Sequence, residues 1–337
     1  MTSTAMDTPK KGSRKGELPI IQKYINILGP LIMIILLSLI MLVFEPRFFR
    51  VGNIMVILQD AAIYMVLGMA MTIVISGKGI DLSIGAVAAL SAIVMAILIK
   101  DYGVGPIVGM GAAIIVGITC GAFNGLIITK FKVPDLIATL ASDLVFRGIA
   151  LVLAAGTVLA RFDEPIPFLG RGRLFEVIPF PAVIGVLALI IGYVIYHYTH
   201  LGRYATAIGG NKEAATLAGI NVSRHKLYHY ILMGGAAAAA GIMLTGKLNA
   251  IQATAGQGLA LHTIAAVIVG GTILFGGKGT MLGTFVGVIL LSMVTNALII
   301  LRFQFFWQLV ASGVIIIAAL AFYNYMQRRG SGTNDDV

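Results

Sequence analysis

Charged residues are scarce in this sequence. Asp, Glu, Lys and Arg make up 11% of its 337 residues, whereas ordinary soluble domains carry about 25%. Hydrophobic residues make up 58%, and the shortage of charge extends over most of the length. These features exclude an ordinary soluble globular protein and predict a polytopic membrane protein.

Cysteine and the familiar catalytic motifs are also missing. The one cysteine, Cys120, lies in an apolar run, so a disulfide framework within the chain is excluded. There is no H-E-x-x-H metal-binding helix and no G-x-S-x-G nucleophile motif. The nearest approach to a phosphate-binding loop, GIMLTGKL at 241–248, ends in leucine where a magnesium-binding hydroxyl is required. We therefore predict that the chain is not an enzyme and binds no metal or cofactor of its own.

Long apolar runs are what the sequence has in abundance. Since a transmembrane helix needs about 20 apolar residues, we predict an all-α fold, an integral membrane bundle of about ten transmembrane helices. The predicted spans are 27–45, 54–76, 83–99, 104–129, 136–155, 180–198, 229–247, 259–276, 281–300 and 305–325. The seventh and eighth are rich in glycine and alanine and could be bent, broken or partly re-entrant. Glycines at four-residue spacing, such as Gly117 and Gly121 or Gly283 and Gly287, predict close helix crossings.

The net charge of +10 comes mainly from Lys and Arg in short loops and tails, which favours membrane topology over nucleic-acid binding as its explanation. Their distribution predicts that both termini face the cytoplasm. The expected organisation is a cytoplasmic tail at 1–26, a membrane domain at 27–325 and a second cytoplasmic tail at 326–337. A polar loop at 203–226 would then lie on the cytoplasmic side.

This polar loop contains the helix signals NKEAATLAG. Asn211 can cap the N-terminus of a helix, Glu213 lies in the first turn where the helix dipole favours a carboxylate, and Gly219 can take the left-handed stop position. A helix over about 212–218 would be too short to be stable alone in water. It must therefore pack on its own membrane domain or on a partner protein, and from these signals alone it is equally well an ordered loop.

The flanks of this helix, with two other stretches, resemble one known family. The three stretches are GRYATAIGGNKEAATLAGI (202–220), SGKGIDLSIGA (76–86) and IVGGTILFGGKGTMLGTFVGV (268–288). They are similar, in content, order and spacing, to motifs of the permease subunits of ABC importers for ribose, xylose and galactose. The resemblance extends over residues 27–325.

This resemblance implies how the protein works. The short helix would be a coupling helix that docks on a separate ATP-binding cassette subunit, which would use ATP and magnesium. The positions carried over are Glu213, Ala214, Ala215 and Gly219, with Asn211 as the cap and Arg224 as either an ionic contact or a positive-inside residue. The implied partners are an extracytoplasmic sugar-binding protein, a second permease copy in a homo- or heterodimer, a monosaccharide substrate and the lipid of the bacterial inner membrane.

Polar residues at membrane depth are costly and are expected to have partners or line a path. Asp143 and Arg147 are spaced i, i+4 and predict a structural ion pair, with a gate as the alternative. Asp60 has no obvious local partner. The residues predicted to line the translocation path or its gate are Gln59, Asp60, Asp81, Ser83, Asn124, Asn249, Thr295 and Asn296.

Two other functions remain open from the sequence. One is an ABC permease of the branched-chain amino-acid type. It shares the general pattern of a cytoplasmic coupling loop, but the GIDLS and GGKGT motifs match it less well. The other is a secondary sugar transporter driven by an ion gradient, for which Asp60 and Asp143 are the candidate ion sites. The abundance of neutral amides and hydroxyls suits an uncharged hydroxylated solute.

Overall fold

The fold is an α-helical bundle, seen in a computed structural model that describes residues 20–304 together with 307, 310, 313, 314 and 317. The predicted C-terminal tail, most of the predicted tenth span at 305–325 and residues 1–19 of the predicted N-terminal tail lie outside these residues. The helices are α1 (Ile20–Phe44), α2 (Val51–Ser76), α3 (Ile84–Lys100), α4 (Pro106–Lys130), α5 (Asp135–Leu153), α6 (Ile166–Arg171), α7 (Phe180–Tyr198), α8 (His200–Gly210), α9 (Lys212–Leu217), α10 (Val222–Leu248), α11 (Leu259–Val269) and α12 (Met281–Ile300).

Six of these helices are long and apolar enough to cross a membrane: α2, α4, α5, α7, α10 and α12. Three further apolar helices are shorter, namely the 28–44 part of α1, α3 and α11. Each of the first nine predicted spans therefore overlaps an apolar helix. The polytopic helix bundle predicted from the sequence is confirmed for the described residues, and the number of spans and the orientation of the termini remain predictions.

The predicted eighth span is broken, as its glycine content suggested. Helix α11 has 11 residues, which gives a length of about 16 Å, and it ends at Val269. Gly271, Gly276 and Gly277 in the following loop have φ angles of +87°, +85° and +85°, a backbone conformation that glycine adopts without steric cost. The second half of this apolar run is thus a loop, and the chain re-enters a helix only at Met281.

Helix α10 lies at the centre of the bundle and packs against α2, α3, α4 and α6. Its closest neighbour is α4, because glycines face each other at the crossing. A methyl group at Gly117 would overlap the carbonyl oxygen of Gly234, and one at Gly121 would overlap that of Tyr230. The predicted close crossing of α4 is confirmed, and the same holds for Gly283 and Gly287, which face α11.

Short strands are the departure from an all-α fold within residues 20–304. Strand β1 (Leu159–Ala160) pairs antiparallel with β4 (Ala250–Ile251), and β2 (Arg173–Leu174) pairs antiparallel with β3 (Ile178–Pro179). The first pair ties the segment after α5 to the segment after α10. Both pairs lie in connections between helices, and neither forms part of the helical core.

Candidate functional site

The predicted helix in the polar loop is present as α9, and it ends one residue earlier than predicted. Asn211 Oδ1 accepts a hydrogen bond from Ala214 N at 2.9 Å, so the expected N-cap is formed. Gly219 has φ +81°, and Ile220 N donates to Ala215 O, so the left-handed stop is formed as well. The cap and stop signals are local, which is why the sequence alone was sufficient to place this helix.

Helix α9 presents almost its whole surface to solvent. Ala215 is 4% exposed and anchors the helix on the protein, whereas Leu217 is 90% exposed. Glu213 and Ala214 are exposed as well. This six-residue helix therefore exposes Leu217 one turn after the carboxylate of Glu213.

Helix α8, which the sequence did not predict, holds α9 against the membrane helices. A methyl group at Gly209 would overlap Ser76 O at the end of α2 and Gly277 N in the loop after α11. Gly277 N in turn donates to Ser76 O at 2.9 Å. The end of α2, the loop after α11 and α8 therefore meet at Gly209, where there is no room for a side chain.

Tyr196, near the end of α7, reinforces this junction through its buried hydroxyl. Gly279 N donates to Tyr196 Oη at 2.7 Å. Thr206 Oγ1 of α8 and Ser76 Oγ of α2 lie 3.1 and 3.3 Å from the same oxygen. The hydroxyl of Tyr196 on α7 thus contacts α2, α8 and the loop before α12. A displacement of α8 would therefore disturb contacts with all three other segments.

A second junction joins the start of α10 to the start of α5. Lys226 Nζ lies 2.7 Å from Asp135 Oδ2, and Tyr230 Oη donates to the same carboxylate at 2.8 Å. Tyr230 Oη also lies 3.1 Å from the carbonyl oxygen of Ile80. Ile80 belongs to the loop 77–83 between α2 and α3, so the polar contacts lead from the end of the polar loop directly to this connection.

The loop 77–83 contains Asp81, one of the predicted gate residues. Asp81 is 1% exposed, and its Oδ1 accepts hydrogen bonds from Ser83 N at 2.9 Å and Ser83 Oγ at 2.6 Å. Asn124 Nδ2 of α4 donates to Ser83 Oγ at 2.8 Å. Burial raises the pKa of Asp81 from 3.8 to about 6, although the hydrogen bonds from Ser83 act in the opposite direction.

These contacts bring together two groups of residues that the sequence treated separately. The predicted polar loop ends at Lys226. The predicted gate residues Asp81, Ser83 and Asn124 lie just beyond Ile80, whose carbonyl oxygen is 3.1 Å from Tyr230 Oη. Asp135 and Tyr230 connect the two groups. The arrangement can transmit a displacement of the polar loop to the connection between α2 and α3.

The predicted ion pair of Asp143 and Arg147 is formed, with Arg147 Nη2 lying 3.2 Å from Asp143 Oδ1. Arg147 Nη1 also donates to Ala253 O at 3.1 Å. Ala253 lies in the segment that follows β4, and this segment approaches α3 so closely that a methyl group at Gly85 would overlap Gly256 O. The guanidinium therefore does more than pair with its neighbour: it also holds an irregular segment against the bundle.

Three other predicted path residues have their amide groups engaged. Gln59 Nε2 donates to Gly170 O of α6 at 2.7 Å. Asn249 ends α10 with φ +50° and accepts from Phe162 N at 2.9 Å. Asn296 exchanges two hydrogen bonds with Asn53 of α2, at 2.9 and 3.0 Å. In this conformation their side chains join segments of the protein to one another.

Asp60 has a partner that the sequence did not indicate. Lys247 Nζ in the last turn of α10 binds Asp60 Oδ1. Both residues, with Thr295, line a cavity between α2, α10, α11 and α12. Lys247 is the last residue of the predicted seventh span, and the structure includes it in α10 beside Asp60.

Comparison with known proteins decides the family. Residues 53–320 match the family described as "Branched-chain amino acid transport system / permease component". The chain belongs to this permease family. As a permease with six helices that are long and apolar enough to cross a bilayer, it is an integral membrane protein, and its homologues are transport subunits and not enzymes. No solved structure matches the chain significantly.

Several relatives of this permease have assigned substrates. It is 41% identical to the ribose import permease protein of Bacillus subtilis, over 87% of this chain and 91% of the relative. It is 37% identical to the ribose import permease protein of Escherichia coli, over 88% of this chain and 93% of the relative. It is 32% identical to the fructose import permease protein of Rhizobium meliloti, over 89% of this chain and 85% of the relative.

Proposed function

We propose that this permease is the membrane subunit of an ATP-driven importer for a monosaccharide, of the ribose type, in the inner membrane of a bacterium. The observation that carries the proposal is the similarity to ribose import permeases over nearly nine tenths of the chain. ATP and magnesium would be bound by a separate ATP-binding cassette subunit, because the sequence has no complete phosphate-binding loop of its own.

Helix α9 is the proposed docking element for that subunit. The exposed Leu217 would enter an apolar groove, and Glu213 at the N-terminus of the helix would add a charged contact. Asn211, Ala214, Ala215 and Gly219 would fix the shape of the element through the cap, the small face and the stop. For this to work, the loop 203–226 and both termini face the cytoplasm, as the distribution of Lys and Arg predicts.

Force from the nucleotide cycle would pass from α9 to the membrane helices by two routes. One leads through α8 to Tyr196 and the end of α2. The other leads along the start of α10 through Lys226 and Asp135 to the loop 77–83. Both routes consist of buried or half-buried contacts with short distances, which is what a rigid transmission requires.

The remaining partners follow from the import function. A sugar-binding protein outside the cell would deliver the monosaccharide, and a second copy of this chain or of a close relative would complete the translocation path. The exposed faces of α4 and α5, which carry large apolar side chains such as Ile115 and Leu144, are available for lipid or for the second copy.

A branched-chain amino acid is the rival substrate, because the printed family description names it. The sugar is favoured by the relatives, among which the import permeases named for ribose and fructose cover most of the chain. An amino acid would also need partners for both of its charges, and Asp60 and Lys247 already neutralise each other.

The test is a transport assay. The complex is purified with its native partners and reconstituted in vesicles, and ATP is supplied on the side of the membrane that the ATPase faces. We expect uptake of a radiolabelled monosaccharide such as D-ribose that needs ATP and persists when proton and sodium gradients are collapsed. Uptake of L-leucine in place of sugars would reject the sugar class. Sugar uptake that needs an ion gradient and no ATPase would reject the ABC mechanism.

A further inference from the structure

An irregular segment, 252–258, connects β4 to α11 and reaches deep into the bundle. It starts at the end of the bundle opposite α9, since α9 precedes α10 and β4 follows it. Lys100, the last residue of α3, lies at this same end, because its Nζ contacts Arg161 O next to β1, the partner of β4. Gly256 O, in contrast, lies against Gly85, the second residue of α3. The segment therefore descends about 22 Å along α3.

Two further contacts place the segment at the middle of the bundle. Arg147, in the interior of α5, donates to Ala253 O at 3.1 Å. The ring of His262, in the first turn of α11, lies 5.6 Å from that of Tyr64, which is halfway along the 26 residues of α2. Because the hydrocarbon core of a bilayer is about 30 Å thick, a segment at the middle of these helices lies well inside it.

The side chains of this segment divide between two sides. Ile251 and Ala253 are 2% and 3% exposed and belong to the core of the bundle. Gln252, Thr254 and Gln257 are exposed. One side of the segment thus packs on the protein, and the other presents two amides and a hydroxyl at membrane depth.

The exposed side is unsuited to lipid. Irregular backbone within the hydrocarbon region lies against protein or lines a water-filled cavity, and the backbone here is irregular, with φ angles of +75° at Gly256 and +84° at Gly258. Polar side chains at this depth likewise face the interior of a bundle or water. An apolar surface of a second copy would leave the amides without partners, whereas water in a path between two copies satisfies them.

The chemistry of the exposed side fits a neutral, hydroxylated solute. Its side chains carry no charge, and the nearby charges of Asp143 and Arg147 compensate each other. A glutamine amide and a threonine hydroxyl each donate and accept hydrogen bonds, as the hydroxyl groups of a sugar do. A monosaccharide can therefore exchange water for these groups, whereas an amino acid would find no partner for either of its charges on them.

We propose that residues 252–258 form this chain's wall of the translocation path between two permease copies, and that Gln252, Thr254 and Gln257 contact the monosaccharide as it passes. The proposal rests on the proposed import function and assigns the residues that meet the substrate. Arg147 acts as a positioning residue, since it holds the segment in place through its backbone carbonyl groups.

Thiol labelling tests the exposure of this wall to water, because the chain has a single cysteine. Cys120→Ala removes the native thiol, and Gln252→Cys, Thr254→Cys or Gln257→Cys then adds one reporter. The assembled complex in membrane vesicles is treated on both sides with methanethiosulfonate ethyltrimethylammonium, a permanently charged thiol reagent. Ile115→Cys is the matched control, since Ile115 is 66% exposed on α4 but apolar.

We expect the three reporters to react at least tenfold faster than Ile115→Cys, because the reagent attacks the thiolate and a thiol in lipid or in a protein contact does not ionise. Modification of the reporters should also block D-ribose uptake, since the adduct narrows the path. Labelling after denaturation in detergent shows that each thiol is present. Three separate reporters keep the test decisive if one variant fails to assemble.

Substitution of Gln257 tests its contact with the sugar. Gln257→Leu should lower the rate of D-ribose uptake roughly 2- to 10-fold, a loss that one neutral hydrogen bond supports. Gln257→Asn keeps the amide and should lose less. Equal uptake by the Gln257→Leu variant and the unmodified permease would remove this residue from contact with the sugar.

The outcomes separate this inference from the import function. If the Cys120→Ala complex imports D-ribose with ATP but the reporters are unmodified, or are modified without loss of uptake, the segment is not a wall of the path and the import function stands. If the complex imports L-leucine and no monosaccharide, the import function fails. Modified reporters that block this leucine uptake would then retain the wall and overturn its sugar contacts.

Discussion

Lys226 Nζ lies 2.7 Å from Asp135 Oδ2, and this contact joins the N-terminal parts of α10 and α5 next to the segment that carries α9. The two side chains are 20% and 15% exposed, so solvent screens their interaction less than that of a surface pair. Tyr230 donates to the same carboxylate. The geometry makes the pair a strong candidate for the link between ATPase docking and the loop 77–83.

If this link transmits force, breaking it should uncouple transport from ATP hydrolysis. We expect Asp135→Asn and Lys226→Gln each to lower sugar uptake per ATP hydrolysed by roughly 2- to 30-fold, the range that coupling changes of 0.5–2 kcal/mol produce. The double variant should lose little more than either single one, since both remove the same contact. Uptake and ATPase rate are measured on the same reconstituted complex.

The control for this experiment is the exposed pair of Arg47 and Glu45, whose atoms lie 3.6 Å apart with 68% of the Arg47 side chain exposed. Arg47→Gln should leave the ratio of uptake to hydrolysis unchanged. Additive losses in the Asp135→Asn, Lys226→Gln double variant would show that the two residues act independently and would remove the link from the mechanism.

Leu217 tests the docking role of α9. Its side chain is 90% exposed, so replacing it by serine removes no contact within the chain and should leave the thermal stability of the isolated permease unchanged. If it fills a groove on the ATPase subunit, the loss of a buried leucine at that interface costs about 1.5–3 kcal/mol. We expect Leu217→Ser to weaken co-purification of the ATPase by roughly 10- to 100-fold in affinity.

Phe175, which is also 90% exposed, provides the control. It lies between β2 and β3, far along the chain from α9, and Phe175→Ser should not affect binding of the ATPase. Equal binding by the Leu217→Ser variant and the unmodified permease would remove Leu217 from the interface. A Glu213→Lys variant should also assemble poorly or hydrolyse ATP without transport.

The parts of this protein that could be predicted from its sequence are those set by neighbouring residues. Asn211 and Gly219 bound α9 because a cap and a stop act within a few residues of themselves. Asp143 and Arg147 pair because one helical turn separates them. The glycines after Val269 end α11 for the same local reason.

The parts that escaped prediction depend on the packing of distant segments. Asp60 and Lys247 are separated by 187 residues, and Lys226 and Asp135 by 91 residues. Nothing in the composition around Asp135 distinguishes it from an ordinary carboxylate in a first helical turn. Most of the contacts that join α9 to the bundle are of this kind, so helix α9 could be predicted from the sequence, whereas the residues that connect it to the bundle could not.

Arg147 is expected to contribute more to stability than Asp143 does. Replacing either residue removes the ion pair. Replacing Arg147 also removes its hydrogen bond to Ala253 O, 3.1 Å away. Arg147→Gln should therefore lower the free energy of unfolding more than Asp143→Asn, by about 1–3 kcal/mol for the additional charged hydrogen bond. Thermal unfolding of the detergent-solubilised permease measures the difference.

The segment after β4 provides a local readout of the same contact. Arg147 Nη1 also donates to Ala255 O at 3.4 Å. Release of Ala253 and Ala255 from Arg147 should increase amide hydrogen exchange at 252–258 in Arg147→Gln, whereas Asp143→Asn should leave that exchange slow. Identical exchange in the two variants, with identical loss of stability, would mean that the ion pair alone accounts for the effect of Arg147.

Asp81 should make the permease more stable in mild acid. Burial raises its pKa from 3.8 to about 6 in the folded protein, so between these values the folded state binds more protons than the unfolded state. Stability therefore falls as the pH rises from about 4 to 6 and stays low above the folded pKa.

Since Asp81→Asn keeps an oxygen that can accept from Ser83 and carries no charge, this variant should lose that pH dependence and gain stability at pH 7. Asp81→Ala, which removes the acceptor, should be destabilised at every pH. The measurement is the midpoint of thermal unfolding at pH 5 and pH 7, with the exposed Asp101→Asn as the control that keeps the behaviour of the unmodified protein. An unchanged pH dependence in Asp81→Asn would show that the carboxyl group ionises in the folded protein as it does in water.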